Sequence, residues 1–288
     1  MEANELRSAA LYRRTLNRLV LPAFGKLPIS SIRRSQIANL RDDIKKENGE
    51  VMAKLTFAIV RRVFSWHQGR EDHFVSPLAG MSPKKATDGP RSRVLDDDEL
   101  RAVWLTAEAS TGLFGALVRF LLLTAARRDE AAEMSWSEIK NGIWTIPAAR
   151  HKTGRRSGDL ERPLSAASMA VLDALPRIGP DKYVFTLDGE RPFGGISANK
   201  DRFDKACGVS GWTIHDLRRT ARSLMSRAGI PAEIAEQCLG HKIPGIQAVY
   251  DRHRYLDEKG AAFEKLAALI ERIVHPTDNV VPLETARK

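Results

Sequence analysis

The 288-residue chain is longer than one average domain and long enough for two, and its 43% hydrophobic content is that of a globular protein with a full core. Lys and Arg number 46 against 36 Asp and Glu, giving +10 and a sequence pI near 9.8, a balance suited to a polyanion partner. Two cysteines without C-x-x-C spacing, Cys207 and Cys238, speak against a disulfide framework or zinc, and the chain shows neither a signal peptide nor an apolar run of membrane-spanning length.

The charge is uneven. Residues 1–88 hold 16 Lys and Arg and 9 Asp and Glu, +7 of the total, so this part reads as a DNA-gripping module. In it, Leu6, Ala9, Ala10, Arg13, Leu16, Leu19 and Val20 recur at helical spacing over 4–21, ending before Pro22. A second helix is predicted over 35–47, with Ile37, Leu40 and Ile44 on one face and Ser35 as cap. A third covers 51–68, with Met52, Leu55, Ile59, Val63 and Trp66 inward. Its other face carries Lys54, Arg61 and Arg62, either a solvated face or a phosphate contact, and the module's charge adds weight to contact.

Residues 76–92 contain three prolines and two glycines without periodicity, the mark of a linker. Lys84 and Lys85 suit a phosphate backbone crossed by the linker, or are the polar decoration of any linker. Then L-D-D-D-E-L places Asp96 as N-cap and Glu99 three positions on. That is a capping box for a helix through Glu108 and not a metal site. Residues 113–124 form a nearly all-apolar, buried helix running into T-A-A-R-R-D-E. Arg127 at its end needs a partner, which Glu130 or a bound phosphate would supply.

β-Branched and aromatic residues flank an Asn-Gly turn at 139–147, and a second strand is predicted over 159–164. Between them lies the basic hairpin H-K-T-G-R-R-S-G, with Lys152 near its base. Helices follow near 166–175 and 197–206. The next helix has the stripe Leu217, Ala221, Leu224, Met225 and Ala228, with Arg218 and Arg222 beside it, and ends at Gly229. Pro231 opens another at its N1 position and Gly240 closes it, so His241 follows a helix C-terminus, where a protonated imidazole is favoured. A last amphipathic helix covers 257–274, with Phe263, Leu266, Ile270 and Ile273 as its stripe, and 275–288 are expected to be a disordered tail. Trp212, Cys207 and Cys238 read as core filling; Arg222 is either a phosphate contact or part of a solvated face.

The stretch 212–250 combines W-T-I-H-D-L-R-R-T, then L-G-H-K, then Tyr250 nine residues after His241. His215 and Arg218, three apart, share a helix face. Spacing alone marks a phosphate site with a candidate nucleophile. The ordered pattern resembles the tyrosine recombinase (phage integrase) family, and the resemblance covers nearly the whole chain.

The resemblance implies an α+β protein, mainly helical with a small antiparallel sheet. It implies a core DNA-binding domain over 1–75, a linker over 76–92 and a catalytic domain over 93–274. It matches Arg127, Lys152, His215, Arg218, His241 and Tyr250 to the six catalytic positions, with Glu130 as the usual acidic companion of Arg127. Arg127 and Arg218 are expected to clamp the non-bridging oxygens of one DNA phosphate, while Tyr250 attacks in line and leaves a 3′-phosphotyrosine and a free 5′-hydroxyl. His215 is expected to take the tyrosine proton, Lys152 to protonate the leaving oxygen, and His241 to hydrogen-bond the phosphate.

No metal or other cofactor is implied. The implied partners are double-stranded attachment sites, a homotetramer on paired sites from a free monomer or weak dimer, and an accessory directionality factor. The implied place is the bacterial cytoplasm, at the nucleoid. Non-catalytic DNA binding and type IB topoisomerase-like relaxation are the alternatives.

The chain departs from the family pattern in places. Ala125 stands where glycine is frequent, and a helical alanine is expected there with little effect. The hairpin is long, which leaves Arg155 and Arg156 as alternatives to Lys152, and Tyr255 is the alternative to Tyr250. Arg219 stands where many members have a second histidine. The arm-binding domain of larger integrases is expected to be absent or removed, and the helix at 257–274 to dock on a neighbouring subunit.

Overall fold

A computed structural model describes residues 8–81, 91–151, 154, 158–179, 182–241 and 253–276. The chain divides into two compact units, Met1–Pro90 and Arg91–Lys288.

The first unit is helical. Helix α1 (Ala9–Thr15) continues through a widened π turn (Leu16–Val20) into α2 (Leu21–Phe24). Pro22 therefore does not end the helix as expected. The chain widens just before it, where the missing N–H and the ring would otherwise break the ladder. Helix α3 (Arg34–Gln68) is interrupted at Gly49, whose φ of 84° only glycine adopts readily. Its first turn is closed not by Ser35 but by Gln36, whose side chain accepts the Arg33 N–H at 2.8 Å.

The core of this unit holds Val20, Phe24, Ile37, Phe57, Val60 and Phe64. Of the inward set expected over 51–68, Ile59 is buried, but the end of α3 is turned from the expected phase. Ala53, Phe57, Val60 and Phe64 face inward, while Val63 and Trp66 stand 38% and 54% exposed. Apolar side chains ring this segment on most sides, and two phenylalanines outweigh the valine and the half-amphipathic tryptophan. The linker expected from residue 76 begins later, because Leu78 is buried in this core. Arg34 also donates to the carbonyls of Pro77, at 2.9 Å, and Ala79, at 2.6 Å.

The second unit surrounds helix α5 (Leu113–Thr124), which is buried along nearly its whole length. Helix α4 (Asp97–Ala109) packs on it and carries the expected capping box: Asp96 Oδ1 accepts the Glu99 N–H at 2.9 Å, and Glu99 Oε2 the Asp96 N–H at 3.1 Å. After the short α6 (Arg128–Ala132), strands β1 (Ile139–Lys140), β2 (Ile143–Ile146) and β3 (Leu160–Pro163) form an antiparallel sheet in that order, with Trp144 opposite Arg162. The β1–β2 turn uses Asn141 and Gly142, both at positive φ, as the Asn-Gly pair predicts.

Helices α7 (Ala166–Asp173), α8 (Ile196–Cys207), α9 (Ile214–Arg227), α10 (Ala232–Leu239) and α11 (Leu256–Val274) complete the unit. Pro231 caps α10 one position earlier than expected. Trp212 and Cys238 are buried, while Cys207 is half-buried. Helix α11 buries Phe263, Leu266, Ile270 and Ile273 in the core of its own unit. Its flanks are pinned there too, by Arg101 donating to the Ile273 carbonyl at 3.0 Å and Glu264 accepting the Ala166 N–H at 2.8 Å. The stripe expected to dock on a neighbouring subunit is buried within its own unit. Of the tail expected from 275, residues 277–288 lie outside the described residues. No described helix is long and apolar enough to cross a membrane.

Candidate active site

Three chain reversals in the second unit deliver the site. The first follows α5. Ala125 turns the chain in a left-handed conformation, φ 49°, while fully buried, so the expected helical alanine is corrected. A Cβ in this region costs on the order of 1–2 kcal/mol. The turn exposes Ala125 O, which accepts from Arg218 Nη1, and sets Arg127 ahead of α6. There Glu130 takes two bonds from Arg127, its backbone N–H at 3.0 Å and its Nη1 at 2.7 Å. Burial pushes the Glu130 carboxyl up, but Arg162 and the Arg127 hydrogen bonds outweigh it and hold it below the usual carboxylate range.

The second reversal is the start of α9. Asp216, fully buried, accepts the Thr213 N–H and hydroxyl at 2.8 and 2.9 Å and pairs with Arg91 at 2.9 Å and Arg219 at 2.6 Å. This knot orients the first turn. His215 faces solvent and Arg218 lies buried within it. Partial burial first, then the charges of Arg219 and Arg218, hold the His215 imidazole below its ordinary value, with Arg127 adding to the effect. Arg219 is therefore the partner of Asp216.

The third reversal closes α10. Gly240, φ 68°, lies where a Cβ would come within 2.6 Å of the Leu160 side chain, so the turn fits against β3 only as glycine. It frees the Leu239 carbonyl for Arg218 Nη2, at 2.7 Å, and presents His241. His241 Nε2 lies 3.1 Å from Arg218 Nη2, and its Nδ1 lies 2.6 Å from Glu236 Oε2. Arginine is always a donor, so Nε2 accepts and Nδ1–H donates to Glu236. Arg222 occupies the other Glu236 oxygen at 2.8 Å, which ties it behind the histidine.

Arg127, Glu130, His215, Arg218 and His241 thus come together. Burial, then Arg162 and Arg127, pull the Arg218 guanidinium down to about 9. Lys152 and Tyr250, with the alternatives Arg155 and Arg156, lie outside the described residues, as do Lys84 and Lys85. Their described flanks are anchored: His151 Nε2 lies 2.6 Å from Gly158 O across the hairpin, and Arg254 pairs with Glu161 on β3. Tyr255 caps α11 with its ring edge-on to His253 at 4.6 Å. In the first unit Lys54 lies 3.5 Å from Glu50, Arg61 lies 5.5 Å over the Phe57 ring, and Arg62 is exposed. Among the described residues no group of three or more His, Cys, Asp and Glu is arranged to hold a metal ion.

Three contributors escaped the sequence. Asp216 was visible as an acidic N3 residue of a helix. Glu236 lies five residues before His241 and carried no signal of its own. Arg162 looked like an ordinary polar strand residue, yet it is among the largest fully buried side chains of the molecule.

The profile of the Phage integrase family matches residues 93–256. The prophage integrase IntF of Escherichia coli (strain K12) is 24% identical over 268 residues, 87% of this chain and 56% of that protein. The integrase of Escherichia phage lambda is 23% identical over 250 residues, 83% of this chain and 67% of that protein. The chain therefore spans little more than half the length of the first of these relatives. A lambda integrase dimer bound to a COC′ core site superposes with a TM-score of 0.65 at 21% identity, over 83% of this chain and 89% of that one. A lambda integrase tetramer bound to a Holliday junction gives 0.67 at 20%, over 90% and 74%. These structures share the fold, and the profile match spans more than half of the 288 residues. The chain belongs to the phage integrase family.

Proposed function

We propose that this chain is a tyrosine-type site-specific DNA recombinase that cuts and rejoins DNA through a 3′-phosphotyrosine. One observation carries the proposal: the guanidiniums of Arg127 and Arg218 converge beside His215 and His241, with Glu130 the one carboxylate hydrogen-bonded to either arginine among the described residues. A site so short of counter-ions suits a phosphate, and planar guanidiniums suit its two non-bridging oxygens.

The chemistry follows from protonation states. Tyrosine ionises near ~10, so Tyr250 must lose its proton as it attacks phosphorus. His215, held neutral by partial burial and its cationic neighbours, takes that proton. The bond from phosphorus to the 5′-oxygen breaks, and Lys152 protonates the leaving oxygen. Arg127 and Arg218 hold the developing charge, and His241, its Nδ1–H committed to Glu236, turns from Arg218 and donates to a phosphate oxygen from Nε2 once that nitrogen carries a proton. The phosphotyrosine keeps the bond energy, so a 5′-hydroxyl of another strand reverses the step without nucleotide or metal.

The first unit is the DNA-gripping domain in this reading, with Lys54, Arg61 and Arg62 on its contact face and Lys84 and Lys85 along the connection. Paired attachment sites would assemble a tetramer. The lambda integrase structures, a dimer on a core site and a tetramer on a Holliday junction, support that assembly. A directionality factor and a nucleoid location complete the proposal.

The test is a covalent trap on nicked site DNA. Wild type should form an adduct that survives denaturing electrophoresis in excess chelator, and Tyr250→Phe should bind the DNA and form none. Adduct from the Phe variant would move the role to Tyr255. Relaxation of any supercoiled plasmid without site preference would favour a topoisomerase. Binding without adduct in wild type would favour a non-catalytic protein.

A further inference from the structure

Arg162 is 1% exposed on β3 and faces the Trp144 ring at 5.3 Å. Its Nη2 donates to the Cys238 carbonyl at 3.2 Å and its Nη1 lies 3.8 Å from Glu130 Oε2, too far for a hydrogen bond. Its Nε and Nη1 have no acceptor among the described residues. A cation buried with so few bonds contributes little to stability, and an apolar residue of similar volume would serve the core as well or better. The strand alternation explains its direction: Glu161, next to it, faces outward and pairs with Arg254.

The charges behind the site explain its presence. Among the described residues the Glu130 carboxylate is hydrogen-bonded to Arg127 alone, and a lone pair of that kind would cancel the charge Arg127 offers to a phosphate. A second guanidinium on the protein side of Glu130 compensates the carboxylate from behind. The three arginines 127, 162 and 218 then face one carboxylate, leaving the cluster two charges positive.

We propose that Arg162 is a positioning residue that neutralises Glu130 from the core side, so that the full charge of Arg127 remains available to the scissile phosphate. It never touches the DNA. It also joins two pieces of the site, since one end meets Glu130 behind Arg127 and the other meets the Cys238 carbonyl at the end of α10, three residues before His241. The inference rests on the recombinase reading above.

The experiment compares single-turnover cleavage of a nicked site carrying either a normal scissile phosphodiester or an uncharged methylphosphonate there. Arg162→Met should slow cleavage of the phosphodiester by about 10- to 100-fold, the range of groups that act through a site residue, and leave methylphosphonate cleavage close to that of wild type. The double variant Arg162→Met/Glu130→Gln, which removes both charges, should cleave the phosphodiester faster than Arg162→Met alone. Equal slowing on both substrates, or no recovery in the double variant, would mean that Arg162 only supports packing and would overturn the proposal. If Arg162→Met does not fold, Arg162→Lys decides. It should keep most phosphodiester cleavage, and an equal loss on both substrates would again overturn the proposal. A wild-type protein that forms no adduct on either substrate would instead refute the recombinase reading.

Discussion

The two units carry positive charge in opposite ways. In the first, Arg62 and Lys54 stand in solvent on a helix face, and Lys54 leans on Glu50. In the second, Arg162 and Arg218 are buried, Arg127 is mostly covered, and Glu130 pairs with Arg127 and Arg162. Exposed charge is screened within about 8–10 Å at ordinary salt, so it grips a polyanion weakly and non-locally. Buried charge is hardly screened, and it waits for one anion at one place. The first arrangement suits affinity and the second suits chemistry.

The largest expected effect breaks the second arrangement. Arg218→Lys keeps one charge but loses the fork that holds Ala125 O, Leu239 O and His241. Cleavage should fall by roughly 10²- to 10³-fold, the range for removal of a charge-stabilising donor, while DNA affinity in gel shifts changes little. A parallel loss of binding would show that the buried arginine serves grip as well.

The pH dependence sharpens the same point. Neutral His215 is the proposed proton acceptor, and protonation on lowering the pH stops it. Partial burial, then Arg219 and Arg218, hold it below its ordinary value of about 6.5. The acid limb of the single-turnover rate should therefore lie below that pH, falling up to about tenfold per unit beneath it. A limb at or above the ordinary value would remove His215 from the role.

A smaller effect tests the first unit. Lys54→Ala with Arg62→Ala should weaken binding on all sequences alike and lower the slope of log K against log salt by about 2. The cleavage rate of bound DNA should be unchanged. A sequence-dependent loss would mean that these side chains read bases.

The smallest expected effect concerns the backbone behind the clamp. Ala125→Gly should raise stability by about 1 kcal/mol in denaturant titration, because the left-handed alanine is relieved. Destabilisation of that size would mean that the buried methyl outweighs the strain.

Much of this was legible where the chain leaves one choice. The stripe from Leu217 to Met225, the Asp96–Glu99 box and the Asn-Gly turn are local patterns, and local geometry satisfies them. The misses are tertiary. Val63 and Trp66 read as inward because apolar residues cover most of the segment's circumference, and only the partner surface selects the phenylalanine face. Pro22 reads as a stop, and a widened turn absorbs it. Ala125 reads as helical because alanine favours helix, and burial of the turn overrides that preference. Arg162 sits between Glu161 and Pro163, and nothing in its spacing announces a buried face.

The two-residue alternation of β3 sets a rule for how this protein can diverge. Glu161 on one side of the ribbon anchors Arg254, and Arg162 on the other sits behind Glu130; their pairing with Thr145 and Trp144 fixes which is which. The hairpin between Ile146 and Leu160 carries Lys152 and is tied across its base by His151 and Gly158, so its length bears on the site as well. A one-residue slip of β3 against β2 would exchange the two sides and turn a carboxylate towards Glu130. The register of these four residues is therefore what keeps a cation, and not a carboxylate, behind Glu130.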